Sequence, residues 1–173
     1  MKQATVEFHR PVEALRIPPA GSTDKLAATP RECAAVAKRL MLPAIHSLSA
    51  VLDVSHWREG GLQVRGQVVS DLDQVCVVTL EPFRSLVTKP VDRFFLPPAV
   101  LKEIGEEEAD VEALEDGKAD LGELVVETLA LELDPYPRKP GAVFEPVLES
   151  ADEPEATVSP FAKLAKLAKP DEP

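Results

Sequence analysis

Cys76 and Thr79 occupy the two positions of a C-x-x-C metal motif, but only the first of them carries sulfur. Both lie in the stretch CVVTLEPF, residues 76–83, which is typical of a β-strand because it is rich in β-branched residues. Structural zinc takes a tetrahedral set of cysteine and histidine ligands, and Cys76 has no second cysteine nearby. The sequence therefore predicts that Cys76 is a buried strand residue rather than half of a metal site.

The histidines do not supply the missing ligands. No two of His9, His46 and His56 are three or four residues apart. An extended strand would separate His46 from His56 by roughly 33 Å, too far for one ion. The chain also has no G-x-S-x-G sequence and no glycine-rich phosphate loop. We therefore predict no catalytic residue, no metal site, no cofactor and no enzymatic activity.

The overall charge and the cysteine count narrow the class of protein. A formal charge of −11 argues against a broad nucleic-acid surface, which needs clustered lysine and arginine. Cys33 and Cys76 lie far apart in a sequence without a recognisable export signal, so we expect two buried free thiols. The chain has no apolar run near 18 residues, so we expect no transmembrane segment and a cytoplasmic location.

Two helices are predicted from their capping residues. Thr29, Pro30 and Glu32 form an N-terminal capping box with proline at the first helical position. Asp120 is the predicted N-cap of the second helix, which ends at Leu129, and the alternation from Leu129 to Leu133 predicts an extended segment after it. The apolar stripe of the first helix is predicted to consist of Cys33, Val36, Ala37, Leu40 and Met41.

Apolar residues alternate with polar ones from residue 45 onward, which predicts an antiparallel meander. Residues 4–17 are interpreted as an entry strand broken at Pro11. Residues 103–116 are interpreted as a solvated acidic connector, with a surface that mimics phosphate or repels RNA as the alternative. Turns are predicted at residues 59–61 and 71–73, and strands at residues 45–55, 62–68, 74–82 and 86–96.

These elements predict an α+β fold. An antiparallel sheet, which could curl toward an open barrel, would be covered by the two helices. We expect a single domain over residues 1–144, an acidic and proline-containing linker over residues 145–158, and a short tail helix over residues 159–169.

The predicted tail helix has an N-cap at Ser159 and begins at Pro160. Phe161, Leu164 and Ala168 share its apolar face. Isolated helices shorter than about 12–15 residues are marginal in water, so this one needs a surface to pack on. Two possibilities stay open. The tail helix docks on a partner through these five residues, or it folds back onto the sheet of its own chain.

Three blocks of the sequence resemble, in order and spacing, the bacterial YceD family, the large ribosomal RNA subunit accumulation proteins. The blocks are VRGQVVSDLDQVCVVTLEPF, KADLGELVVETLALELDPYP and SPFAKLAKL, and the resemblance covers roughly residues 45–169. Its most specific parts are Asp120-Leu121 and the S-P-F-A sequence at residues 159–162.

The resemblance implies a cytosolic, non-enzymatic protein needed for accumulation of large-subunit ribosomal RNA. Many family members carry C-x-x-C at the Cys76 position and further cysteines after the second helix, as expected for metal binding. This chain departs from that pattern, since Thr79 replaces the second cysteine and DPYPRKPGAVF has none. The departure supports a chain without a four-ligand zinc site.

Two functions are compatible with these features. The leading hypothesis is a ribosome-biogenesis adaptor that binds a basic ribosomal protein or an assembly intermediate, with ribosomal RNA contact at most local. The alternative, a regulator of phospholipid synthesis at the membrane surface, follows from the lysine-bearing tail and from the gene neighbourhood common in the family. The oligomeric state stays open. The candidate RNA contacts are Arg65, Arg84, Lys89 and Arg93, or else Arg138 and Lys139. The alternative for these residues is ordinary solubilising charge on the polar face of the sheet.

Overall fold

Three long strands in which buried and exposed residues alternate form the centre of the protein. The structure is a computed structural model, and it describes residues 7–104 and 111–144. The strands are β1 (Pro11–Glu13), β2 (Ser22–Ala27), β3 (Ala44–Trp57), β4 (Gly61–Val75), β5 (Pro82–Leu96), β6 (Val111–Ala113) and β7 (Lys118–Asp120). The helices are α1 (Pro30–Arg39), α2 (Pro98–Ile104) and α3 (Leu121–Glu132), and a 3-10 turn spans Ala14–Arg16.

The main sheet has the strand order β2-β3-β4-β5-β6. Its first four strands are antiparallel, and β6 adds to β5 in parallel. Strands β1 and β7 form a separate antiparallel pair. The α+β class is therefore confirmed, and within the described residues the sheet remains open, with β2 and β6 at its edges.

The two capped helices share one hydrophobic core with the inner face of the sheet. Cys33 and Val36 of α1 and Leu124 and Val125 of α3 are buried in this core together with alternate residues of β3 and β4. The capping box of α1 is present, because the Thr29 hydroxyl and the Glu32 carboxylate each bind the other residue's backbone N–H. Both helix starts are thus where the capping residues predicted them.

The predicted turn at residues 71–73 is wrong. Asp71 and Asp73 lie inside β4, which continues to Val75, and the chain turns only at residues 76–81. The alternation continues through this region, because Leu72 and Gln74 are buried on the inner face while the two aspartates point to the other face. Cys76 is buried as predicted, but it follows β4 and does not lie in a strand.

Other boundaries also differ from prediction. Helix α3 continues to Glu132, so the extended segment predicted from Leu129 is wrong. Met41 does not extend the stripe of α1, because the helix ends at Arg39 and Met41 adopts a left-handed φ of 55° with its side chain exposed. The acidic connector includes β6 and the buried Leu114. The break predicted at Pro11 is wrong, because β1 begins at Pro11, and none of the described residues before it lies in a strand.

Strand β2 and helix α2 were not predicted from the sequence. The described fold belongs to one compact unit that ends at Ala142. The linker predicted at residues 145–158 and the tail helix predicted at residues 159–169 lie outside the described residues, so both stay predictions.

Candidate functional site

The turn that follows β4 brings Cys76 against a distant loop. Cys76 donates its N–H to the Glu81 carbonyl at 2.9 Å, and Leu80 N–H returns to the Cys76 carbonyl at 2.8 Å. Leu80 has a left-handed φ of 59°, which closes the turn. Val77 N–H donates to the Pro137 carbonyl at 2.9 Å, which ties the turn to the loop after α3. We call residues 76–81 and 137–139 together the Cys76 clasp.

The sulfur of Cys76 accepts hydrogen bonds inside this clasp. The Thr79 hydroxyl and the Lys139 backbone N–H are the donors with the largest effect on its pKa, and the backbone N–H groups of Thr79 and Val78 have a smaller effect. These donors favour the thiolate over the thiol, so they lower the pKa of Cys76 from 9.0 to about 6 despite burial, which acts in the opposite direction. A further ion pair closes the clasp, from Lys139 Nζ to Glu81 at 3.1 Å.

The clasp does not fit a metal ion. Thr79 stands where the second sulfur of C-x-x-C would lie and donates its hydroxyl to Cys76. The Pro137–Lys139 side of the clasp supplies backbone groups and no thiol. Within residues 7–104 and 111–144, no group of three or more His, Cys, Asp or Glu side chains is arranged to hold a metal.

The histidines are engaged separately. His9 pairs with Asp120, His46 Nε2 lies 3.0 Å from the Asp73 carboxylate, and His56 Nε2 lies 2.8 Å from the Ile17 carbonyl. The three rings therefore have partners on different elements and do not converge.

The candidate RNA contacts are divided between the two faces of the sheet. Arg65 contacts Asp92 at 3.2 Å and Arg84 contacts Asp71 at 2.5 Å, both on the face away from the helices. The Arg84 guanidinium lowers the pKa of Asp71, and Gln63, followed by Arg65, lowers that of Asp92. These pairs keep the carboxylates charged and the guanidiniums occupied.

The other two candidates lie on the helix-bearing face. Lys89 is opposite the buried Val68 and pairs with Glu132 of α3 at 3.1 Å. Arg93 is opposite the buried Val64 and lies 3.7 Å from Glu112. The structure thus does not bring the four predicted cations into one patch. The carboxylate that pairs with each cation depends on strand register and helix packing, which the sequence pattern did not reveal.

The start of α3 is more than a helix cap. Asp120 accepts hydrogen bonds from the N–H groups of Gly122, Glu123 and Arg10, and it also pairs with His9. Leu121 N–H donates to the Arg10 carbonyl at 3.0 Å. A Cβ at position 122 would overlap the Phe8 carbonyl, so glycine is needed for this close approach. Asp120-Leu121-Gly122 therefore connects the segment before β1 to α3.

A cavity of about 780 Å³ lies beside α1. Two ion pairs border it. Arg10 Nη1 lies 2.9 Å from Glu32 Oε1, and Arg39 Nη1 lies 3.1 Å from Glu7 Oε2. Arg39 also holds Glu123 of α3 at 2.5 Å. The sequence pattern did not predict the cavity, because the cavity depends on how the segment before β1 packs beside α1. The residues that line it are Glu7, Thr29, Arg31, Glu32, Ala35, Lys38 and Arg39.

The family model for "Large ribosomal RNA subunit accumulation protein YceD" matches residues 64–168. The chain belongs to the YceD family. The match begins in β4 and includes the Cys76 clasp and the Asp120 junction. Neither a search of curated proteins nor a search of solved structures returned a significant match. Among the described helices of this YceD-family chain, none is long and apolar enough to cross a membrane.

Proposed function

We propose that this YceD-family chain is a non-enzymatic, cytoplasmic ribosome-biogenesis factor that supports accumulation of large-subunit (23S) ribosomal RNA as a protein adaptor. The observation that carries the proposal is the family match over residues 64–168, whose description names accumulation of the large ribosomal RNA subunit. The adaptor mechanism is our addition to that description. The Cys76 clasp supports a structural role for that region, because its backbone hydrogen bonds join the turn after β4 to the loop after α3.

The charge distribution favours a basic protein as the direct partner, either a ribosomal protein or an assembly intermediate that displays one. The chain has a net charge of −11, and the four cations first considered for RNA each lie against a carboxylate. RNA phosphate would have to compete with those carboxylates, whereas a basic partner is attracted by the overall charge.

The tail is the proposed contact with that partner. Ser159 and Pro160 would start a helix whose Phe161, Leu164 and Ala168 enter an apolar groove, as in other helix-in-groove complexes. The intervening lysines would remain at the rim, where charge affects association rate more than affinity.

A complementation experiment tests both parts of the proposal. In a strain that lacks the gene, the wild-type chain should restore the ratio of large- to small-subunit ribosomal RNA, whereas Phe161→Ala/Leu164→Ala should not. Lys163→Ala/Lys166→Ala, which changes the other side of the same predicted helix, is the matched control and should restore the ratio.

Affinity purification with nuclease treatment tests the kind of partner. Large-subunit ribosomal proteins should remain bound to the wild-type chain after RNA is digested, and should be lost from Phe161→Ala/Leu164→Ala. If digestion released every ribosomal component, the protein-adaptor mechanism would be rejected, while the role in RNA accumulation would still be tested by complementation. No observation favours the phospholipid hypothesis.

A further inference from the structure

Most basic side chains of the described residues are engaged by carboxylates, but a small group is not. Within residues 7–104 and 111–144, no ion pair or carboxylate hydrogen bond involves Lys25, Arg31, Lys38, Lys102 or Arg138. Two of them, Arg31 and Lys38, are exposed on α1 and line the same cavity. We call these two residues the α1 cation pair.

The helix places the two charges on one side. Arg31 and Lys38 are seven residues apart, which is about two turns and about 10.5 Å along the helix axis. Arginine offers a planar fork of donors that matches a phosphate group, and lysine offers a mobile point charge. A chain of phosphates could therefore contact both cations at once.

The acidic residues of the cavity are already neutralised. Glu32 accepts from Thr29 N–H at 2.7 Å, from the Thr29 hydroxyl at 2.9 Å and from Arg10 at 3.1 Å. Arg10 and Thr29 hold the pKa of Glu32 at about 2. Glu7 and Glu123 are both held by Arg39. Arg10 and Arg39 are thus committed to these carboxylates, whereas Arg31 and Lys38 in the same cavity are not.

We propose that the α1 cation pair binds the phosphate backbone of single-stranded RNA. The lining of the cavity favours RNA over an acidic peptide, because Ala35 is its one apolar residue and protein interfaces depend on aromatic or aliphatic anchors. The site lies before residues 64–168 and does not involve the tail, so it adds an RNA contact to the proposed adaptor.

Binding of a fluorescent, mixed-sequence single-stranded RNA oligonucleotide to the full chain, measured by anisotropy at several salt concentrations, tests the proposal. Each phosphate neutralised on a single strand contributes about −0.7 to the slope of log K against log salt. We expect a slope of about −1.4 for the wild type, about −0.7 for Arg31→Ala or Lys38→Ala, and loss of measurable binding for the double variant.

The matched control is Arg65→Ala/Arg84→Ala. It also removes two positive charges, but from the face of the sheet away from the helices, and it should keep the wild-type slope. Circular dichroism checks that each variant is folded, and Arg31→Gln/Lys38→Gln replaces the alanine double variant if that one is not. Three results would overturn the proposal. The first is an equal loss of RNA affinity in the α1 double variant and in the Arg65→Ala/Arg84→Ala control. The others are no RNA binding by the wild type at low salt, and binding of poly-glutamate as tight as that of RNA. A chain lacking residues 150–173 should still bind, which separates this site from the adaptor function.

Discussion

At the scale of single residues, Cys76 is an acceptor that joins two loops. Its sulfur receives the Thr79 hydroxyl and backbone N–H groups from both sides of the clasp. Buried donors without an acceptor are costly, so the side chain at position 76 must accept hydrogen bonds to keep the clasp closed. Packing alone would have made Cys76 replaceable by any small apolar residue.

Substitution of Cys76 should therefore show that an acceptor matters more than apolarity. We expect Cys76→Ala to lower the Tm by several degrees more than Cys76→Ser, because serine keeps an oxygen in reach of the four donors. Cys33 provides the control, since it lies in the apolar core and serine there should cost at least as much as alanine. The ranking can be measured by thermal unfolding, and the reverse order at Cys76 would contradict it.

The Cys76 thiolate also makes stability depend on pH. Folding lowers the pKa of Cys76 from 9.0 to about 6. The contribution of the thiolate to the free energy of unfolding is therefore complete above pH 9, decreases as the pH falls and is lost below about pH 6. We expect the Tm difference between wild type and Cys76→Ser to increase steadily from pH 6 to pH 9. Thermal unfolding of both chains over this range measures it, and a constant difference would show that the sulfur stays protonated.

At the scale of elements, the start of α3 organises its neighbours. The Asp120 carboxylate caps the helix and also binds Arg10 N–H at 2.8 Å, so one side chain connects the helix to the segment before β1. Gly122 allows this contact because its lack of a Cβ admits the Phe8 carbonyl. The same residues that look like an ordinary helix start in sequence thus hold a junction between distant segments.

Gly122→Ala distinguishes the junction from a simple helix. Intrinsic helix propensity alone predicts that alanine would stabilise the chain by about 1 kcal/mol. Because the new methyl group would overlap the Phe8 carbonyl, we instead expect a loss of about 1–3 kcal/mol. Chemical denaturation measures the sign, and Leu131→Ala, at an exposed position of the same helix, should stay within about 0.5 kcal/mol of the wild type. A gain in stability at position 122 would contradict the observed packing.

At the scale of the whole molecule, net charge and local pairing have different consequences. The charge of −11 favours basic partners at long range, whereas contact at any one place depends on which cations are already paired. Arg84 and Arg65 are committed to aspartates, while the α1 cation pair is not. An acidic protein can therefore offer one small site for phosphate.

Removal of the tail separates binding from folding. We expect deletion of residues 150–173 to leave the Tm almost unchanged and to abolish co-purification with ribosomal proteins, since the tail is proposed to act on a partner. Differential scanning calorimetry and nuclease-treated affinity purification measure the two effects. A fall of several degrees with partner binding retained would contradict the proposal, because burial of apolar area stabilises by about 25 cal/mol per Å².

Local signals in the sequence determined the helix starts, the alternating strands and the burial of both cysteines. The hydrogen bonds of the Thr29 cap and the capping box involve residues within three positions, so they can be recognised from sequence. The alternation of Leu48, Ala50, Leu52 and Val54 likewise predicts a half-buried strand, and all four are buried. The alternation was interrupted wrongly at Asp71 and Asp73, whose turn-forming residue type suggested a break, and alternation from Leu129 to Leu133 was misread as an extended segment inside α3.

Only the tertiary structure decided which distant groups meet. Arg84 pairs with Asp71 because strand register brings them together, and Cys76 meets Lys139 because α3 returns its following loop to the β4–β5 turn. Partner identity in such contacts depends on register and chain reversal, which residue type and spacing do not encode locally. For the same physical reason, five of the six cations that the sequence selected are already paired, Arg138 being the exception, and Arg31 and Lys38, which are not paired within the described residues, were overlooked.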